Sequence, residues 1–277
     1  MILEPLISNN VVCHAMEAMI LAAVACAMLG VIITRMNLSS IGVTMSHAAF
    51  AGAAIGMFFG VNSTMTAVAF CVGVAALIGP LSERSRMSAD TTLSVLFAMS
   101  MAVAIFFIAY MQYSGQGMSA GNLLFGNIIS LYREDVYLLG LICLLTVLFV
   151  IIFNKEIMAI IFNIKIAEAS GIRTKPVYYA VLFTTAVSVA LCMNIVGGLL
   201  IFVWLVTPAA IAYQFCFNVR NMFIVAPLVA VALSAIGVWA GFEYTVPISP
   251  LVAMLFTLVF SLSVIFSLKR RVTSNKT

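Results

Sequence analysis

The sequence predicts an all-α integral membrane protein, a polytopic bundle of eight or nine transmembrane helices with a short helix on the cytoplasmic side. Three observations carry this. Of the 277 residues, 64% are hydrophobic and only 8% charged, against about 25% charged in an ordinary soluble domain. The mean hydropathy is +1.21, and a water-soluble core of this length cannot hide so much apolar surface. The apolar residues also fall into runs of about twenty, the length a helix needs to cross lipid. Disordered, collagen-like and disulfide-rich secreted classes are excluded by the same composition.

The runs follow one another along the whole chain. The first covers about 12–34. The stretch before it carries Glu4 and no basic region, so it does not read as a cleavable signal and the run is expected to stay. Further runs cover about 41–60, 64–80 and 91–111. A stretch rich in Gly, Ser and Asn, 112–135, reads as an outer loop before the next run at 136–153. A charged interruption, 154–175, precedes runs at 176–194 and 197–216. Only Ile195 and Val196 divide these two before Gly197-Gly198. One of them could be broken or re-entrant, hence eight or nine. Runs at 221–241 and 247–268 complete the set.

Positive charge sets the expected orientation. With nine spans and the C-terminus inside, the cytoplasmic loops hold Arg35, Arg84, Arg86, Lys155, Lys165, Arg173, Lys175 and Arg220. The C-terminal Lys269, Arg270, Arg271 and Lys276 join them, and only Arg133 is left outside. The N-terminus is then outside. Thirteen Lys and Arg are too sparse for a nucleic-acid face. The outer acids Glu4, Glu134, Asp135 and Glu243 read as hydrated loop ends or as a weak cation collector.

The sequence has no GxxxxGK[ST] phosphate loop and no HExxH. The chain is expected not to hydrolyse ATP by itself and not to be an enzyme. The six cysteines stand singly within apolar runs and read as small packing residues. The seventeen methionines are spread as flexible filler. His14 and Glu17, spaced i, i+3, share a helix face and read as an interfacial pair or a metal-entry pair.

His47 is the outstanding residue. It lies about six residues into the second run, roughly 9 Å from the cytoplasmic edge. Gly52, Gly56 and Gly60 form a stripe that lets a neighbouring helix approach closely. At about 100° per residue, His47 falls opposite the middle of that stripe. One face is expected to pack while the other presents an imidazole. An ionisable side chain within a span is a functional candidate, and imidazole suits borderline metals. A histidine bonded to a neighbouring carbonyl is the plainer alternative.

In the charged interruption, Ile157, Met158, Ile160, Ile161 and Ile164 permit a short amphipathic helix, followed by the small-residue turn Glu168-Ala169-Ser170-Gly171. Such a helix could seat in a groove on a soluble partner or lie at the membrane surface.

Taken together, these stretches resemble the zinc/manganese/iron permease family of ATP-binding-cassette importers, over nearly the whole chain. The resemblance rests on Arg35-Met36 with Ser46-His47-Ala48, on Pro80 to Ala98 centred on Asp90-Thr91, and on Leu123 to Ile128. It continues through Ala167 to Ile172 and Gly197-Gly198-Leu199-Leu200 with Thr207-Pro208-Ala209-Ala210. It implies a single permease domain, 1–277, acting as a homodimer in a prokaryotic inner or cytoplasmic membrane. It also implies a separate cytoplasmic ATPase that uses the ATP, an extracytoplasmic substrate-binding protein, and no cofactor bound by this chain. Residues 154–172 would be the coupling region, with Glu168, Ala169 and Gly171 at the ATPase contact. His47 would be a transient metal ligand.

One departure matters. Family members usually place an aspartate four residues before the histidine, where this sequence has Val43, and Ala51 replaces a common proline. Without the carboxylate, an imidazole-preferring ion such as zinc is favoured, with manganese or iron as other candidates. A metal chelate or small organic substrate is the alternative, and an ion-coupled secondary transporter the rival from another class. That rival needs intramembrane acids, and only Glu17 is available.

Overall fold

The computed structural model describes residues 10–113 and 132–267. The Leu123–Ile128 stretch, most of the outer loop, Glu4 and the C-terminal cations lie outside these. The described residues contain helices and no strand. In chain order they are α1 Asn10–Arg35, α2 Ser40–Phe58, α3 Ser63–Ser85, α4 Ala89–Tyr113, α5 Arg133–Ile152, α6 Asn154–Phe162, α7 Ile164–Ala169, α8 Thr174–Val196, α9 Gly198–Phe215, α10 Val219–Glu243 and α11 Ile248–Ile265. All but α6 and α7 are long and apolar enough to cross a membrane, nine among the described residues. The loop expected at 112–135 is trimmed on both sides, since α4 runs to Tyr113 and α5 begins at Arg133.

Polar residues at the ends of the runs set the boundaries. Asn62 starts α3: its Oδ1 accepts from the backbone N–H of Thr64 at 3.0 Å and of Met65 at 3.2 Å. This satisfies donors that a helix start leaves orphaned. Ser88 does the same for α4, its Oγ accepting from the Thr91 N–H at 3.1 Å. Gly197, with φ 94° and ψ 146°, divides α8 from α9. That backbone conformation is open to glycine and strained for other residues. The uncertainty over the sixth and seventh runs therefore resolves into two separate helices, each of spanning length.

α1 is the hub, packed against α5, α8, α9 and α10, while α2 lies between α3 and α4. Interhelical hydrogen bonds tie several neighbouring helices together, as expected where lipid offers no competing partner. Trp204 Nε1–H of α9 donates to Ser234 Oγ of α10 at 2.9 Å, fully buried. Thr44 Oγ1 of α2 donates to the Leu93 carbonyl of α4 at 3.0 Å. Cys71 Sγ of α3 donates to the Met45 carbonyl of α2 at 3.4 Å. None of the six cysteines forms a disulfide, and Cys26, Cys71 and Cys192 are fully buried in the core. Val95, Phe106, Leu144 and Ile151 are exposed on the outside of α4 and α5, where apolar side chains suit lipid and would aggregate in water.

Two sequence expectations are corrected here. Gly52 and Gly56 lie against α3: a Cβ on Gly52 would stand 2.6 Å from the Thr66 carbonyl oxygen and 2.7 Å from Ala67 Cα. A Cβ on Gly56 would stand 2.8 Å from Ser63 Cα. Gly60 takes no part, because α2 ends at Phe58 and Gly60 turns the chain with φ +67° and open space around it. The stripe is two glycines long. The single short helix expected between 154 and 172 is likewise two helices, because Asn163 adopts an extended backbone after α6 and restarts the chain as α7. Its Oδ1 accepts from Lys165 N–H at 2.9 Å and Ile166 N–H at 3.3 Å.

Candidate substrate path and coupling region

α2 begins at Ser40, which puts His47 two turns into the helix. With its glycine face held by α3, α2 turns Val43 and His47 toward a cavity of about 460 Å³. Phe50 of α2, Leu199, Phe202 and Val203 of α9, and Ala253 of α11 complete most of the wall. The break at Gly197 is what brings the first turns of α9 to this wall. Val43 and His47 are one turn apart and share it, so the position that could hold a carboxylate beside the imidazole presents a methyl surface instead.

The imidazole lies against aromatic rings. Phe97 of α4 meets it edge-to-face at 4.9 Å between centroids, and Phe50 stands at 6.5 Å in a similar arrangement. Its Nδ1 is buried with no hydrogen-bond partner, which leaves Nε2 as the nitrogen that can reach the cavity. The carbonyl-bonded histidine considered from sequence is therefore not what the structure has. Among the described residues no group of three or more His, Cys, Asp or Glu is arranged to hold a metal ion. The site offers one imidazole in a largely apolar wall. His14 is half-buried and Glu17 exposed on α1, and they make no hydrogen bond to each other.

In the candidate coupling region, 154–172, the apolar face of the short helix turns inward. Ile157 and Ile160 of α6 are 2% and 4% exposed and pack with Ile32, Val150, Val177 and Val181 of this same chain. The apolar face therefore closes on the bundle and is unavailable to a partner. What projects instead is the junction with α7: Phe162 is 81% exposed, and Ile164 and Ile166 are also exposed. Ala169 ends α7 exposed, and Gly171, with φ +82° and no neighbour to a Cβ, turns the chain toward α8.

Glu168 faces back onto α8, its Oε1 accepting from Thr174 Oγ1 at 2.6 Å. The next residue, Lys175, reaches across to Glu83 at the end of α3. A groove of about 200 Å³ lies between these elements, with Gly79, Ile160, Ile164 and Tyr179 among its walls and Glu168 and Lys175 at its polar side. Sequence reasoning missed the Glu83–Lys175 contact, which spans 92 positions, and missed Phe97, which looks like any other apolar residue of its run.

Comparison with known proteins agrees with this architecture. The model of the ABC 3 transport family matches residues 8–267. A manganese transport system membrane protein, MntC, of Halalkalibacterium halodurans is 27% identical over 97% of this chain and 91% of its own length. The manganese import system permease protein ScaB of Streptococcus gordonii is 24% identical over 95% of this chain and 94% of its own. Among solved structures, PsaBC from Streptococcus pneumoniae in complex with Fab superposes with a TM-score of 0.86, at 22% identity, covering 100% of this chain and 99% of that one. With nine membrane-length helices among the described residues and a family match running almost from end to end, the chain belongs to the ABC 3 transport family, as a membrane-spanning permease and not an enzyme.

Proposed function

We propose that this permease carries a divalent transition-metal ion into a prokaryotic cell, as a homodimer driven by a separate cytoplasmic ATPase and fed from outside by a substrate-binding protein. The observation that carries the reading is His47, a lone imidazole on the wall of a 460 Å³ cavity lined by α2, α9 and α11. The relatives named as manganese permeases support the metal class. Within that class, imidazole without a hard carboxylate favours zinc over manganese. The distribution of Lys and Arg supports an outside N-terminus and a cytoplasmic coupling region, 154–172. There the exposed α6–α7 junction, Glu168, Ala169 and Gly171 would meet the ATPase. Closure of the ATPase pair would push α7 and, through the first turn of α8, alternate access to the His47 cavity. No bond of the substrate changes.

A second reading has its own observation. The cavity is mostly apolar and far larger than a bare ion, within the range that suits a small organic ligand, so a metal chelate is the alternative cargo.

Elemental analysis of cells lacking the protein, against cells restored with wild type or His47→Ala, tests both. Zinc restored by wild type alone is the expected result. Manganese restored instead overturns the zinc preference, and unchanged metal content under metal limitation replaces the ion by a chelate or organic substrate.

A further inference from the structure

A ligating histidine usually gives its second ring N–H to a carboxylate, carbonyl or water, which fixes the ring and its tautomer. His47 has no such acceptor: its Nδ1 is buried and unpartnered. Something else must hold the ring, since a free rotor would not present Nε2 to the cavity reproducibly. The observed neighbours are Phe97 at 4.9 Å with planes at 71°, and the more distant Phe50. Phe50 travels with His47 on the same helix, whereas Phe97 belongs to α4 and gives the ring a reference outside α2.

The register that brings Phe97 there is itself anchored. Thr44 Oγ1 stands 3.0 Å from the Leu93 carbonyl and 2.9 Å from the Ser40 carbonyl, its one proton shared between the two acceptors. One turn on from Thr44 is His47, and one turn on from Leu93 is Phe97. The helices therefore run in the same direction past each other, and the buried Thr44–Leu93 bond sets the height at which imidazole meets phenyl.

Resting on the reading of His47 as the transit ligand, we infer that Phe97 is its positioning residue, its ring doing by edge-to-face contact what a hydrogen-bond acceptor does elsewhere. The chemistry suits a carrier. An aromatic neighbour orients the imidazole without raising its basicity as a carboxylate would, and a transport site must bind weakly enough to release. Edge-to-face contact is also directional, so a shift of α4 against α2 would reorient the ligand.

The test is uptake by cells expressing the whole transporter, with zinc chloride and manganese chloride as probes. Phe97→Tyr keeps the ring, while Phe97→Leu keeps an apolar side chain and removes it; Phe97→Met serves if the leucine variant is poorly made. Loss of the ring is expected to raise the KM for the transported ion about tenfold, the lower range for losing an orienting partner, with the maximal rate and melting temperature near wild type. Phe97→Tyr is expected to behave as wild type. An unchanged KM in the leucine or methionine variant overturns the inference, as does a fall in maximal rate and melting temperature with KM constant, the mark of a packing role. His47→Ala is measured in parallel. If it loses uptake while ring removal does nothing, only the positioning role falls; if it transports normally, the reading of His47 falls and takes this inference with it.

Discussion

Lys175 Nζ donates to Glu83 Oε1 at 2.9 Å, tying the first turn of α8 to the last turn of α3. Each charge sits at the unfavourable end of its own helix, since a helix start disfavours cations and a helix end disfavours anions. Paired, the two charges offset each other. Thr174, the preceding residue, is bonded to Glu168 of α7. The first turn of α8 is therefore held on one side by α7 and on the other by α3, the helix against which Gly52 and Gly56 of α2 are packed.

Reversing one partner should loosen this connection. Glu83→Lys or Lys175→Glu is expected to lower the ratio of transport to ATP hydrolysis by no more than about fivefold, because both side chains are largely exposed and an exposed pair is weak. The double reversal, which restores the pair and places each charge at the favourable helix end, should recover the wild-type ratio. The comparison is transport per ATP in the four proteins. A double variant no better than the singles would show that the two residues do not act through each other.

The α2–α3 contact predicts a contrast between two glycines. An added methyl at Gly52 meets backbone atoms of Thr66 and Ala67 that cannot rotate away. Gly52→Ala should therefore destabilise by about 1–3 kcal/mol, as overpacking of a close contact does. Gly73, in α3, has nothing within 4 Å of an added Cβ. Gly73→Ala should be neutral or stabilise by up to about 1 kcal/mol through better helix propensity. Thermal unfolding in detergent checks both, and equal melting temperatures for the two variants would contradict the close approach.

The span count and the position of His47 were legible in the sequence because both follow from one-dimensional properties, run length and helical phase. The break at Gly197 was visible as a Gly-Gly pair, although whether it closed one helix or bent it was not. Gly60 was misplaced because the phase argument assumes the helix continues, and α2 stops at Phe58. Where the apolar face of α6 packs was hidden for a different reason. The spacing of Ile157 and Ile160 marks an apolar face, and periodicity does not say whether that face meets lipid, a partner or the chain's own core. Phe97 and the Glu83–Lys175 pair depend on which helices become neighbours, which no local pattern encodes.

Val43 offers the direct test of what selects the ion. It shares the cavity wall with His47 one turn away, so Val43→Asp places a hard oxygen ligand beside the imidazole. Manganese favours oxygen donors more strongly than zinc does. The manganese-to-zinc uptake ratio is expected to rise by roughly tenfold, about 1.4 kcal/mol of differential binding. Competition between the two ions for uptake measures it, and a ratio left unchanged would mean that the ion does not pass Val43.

The two faces of the α6–α7 region should respond oppositely to a charge. Ile160 is 4% exposed and packed on the bundle, so Ile160→Asp buries an unpaired carboxylate and should lower the melting temperature sharply. Ile164 and Ile166 are exposed beside Lys165, and aspartate at either costs the isolated permease little. In the assembled transporter the same two positions should meet the ATPase. Ile164→Asp and Ile166→Asp are therefore expected to leave the melting temperature of the permease within about 2 °C, the shift of a surface change of half a kcal/mol or less. They should nevertheless reduce copurification of the ATPase severalfold. Full retention of the ATPase by both variants would move the docking surface away from the α6–α7 junction and leave Glu168 as a purely internal tie between α7 and α8.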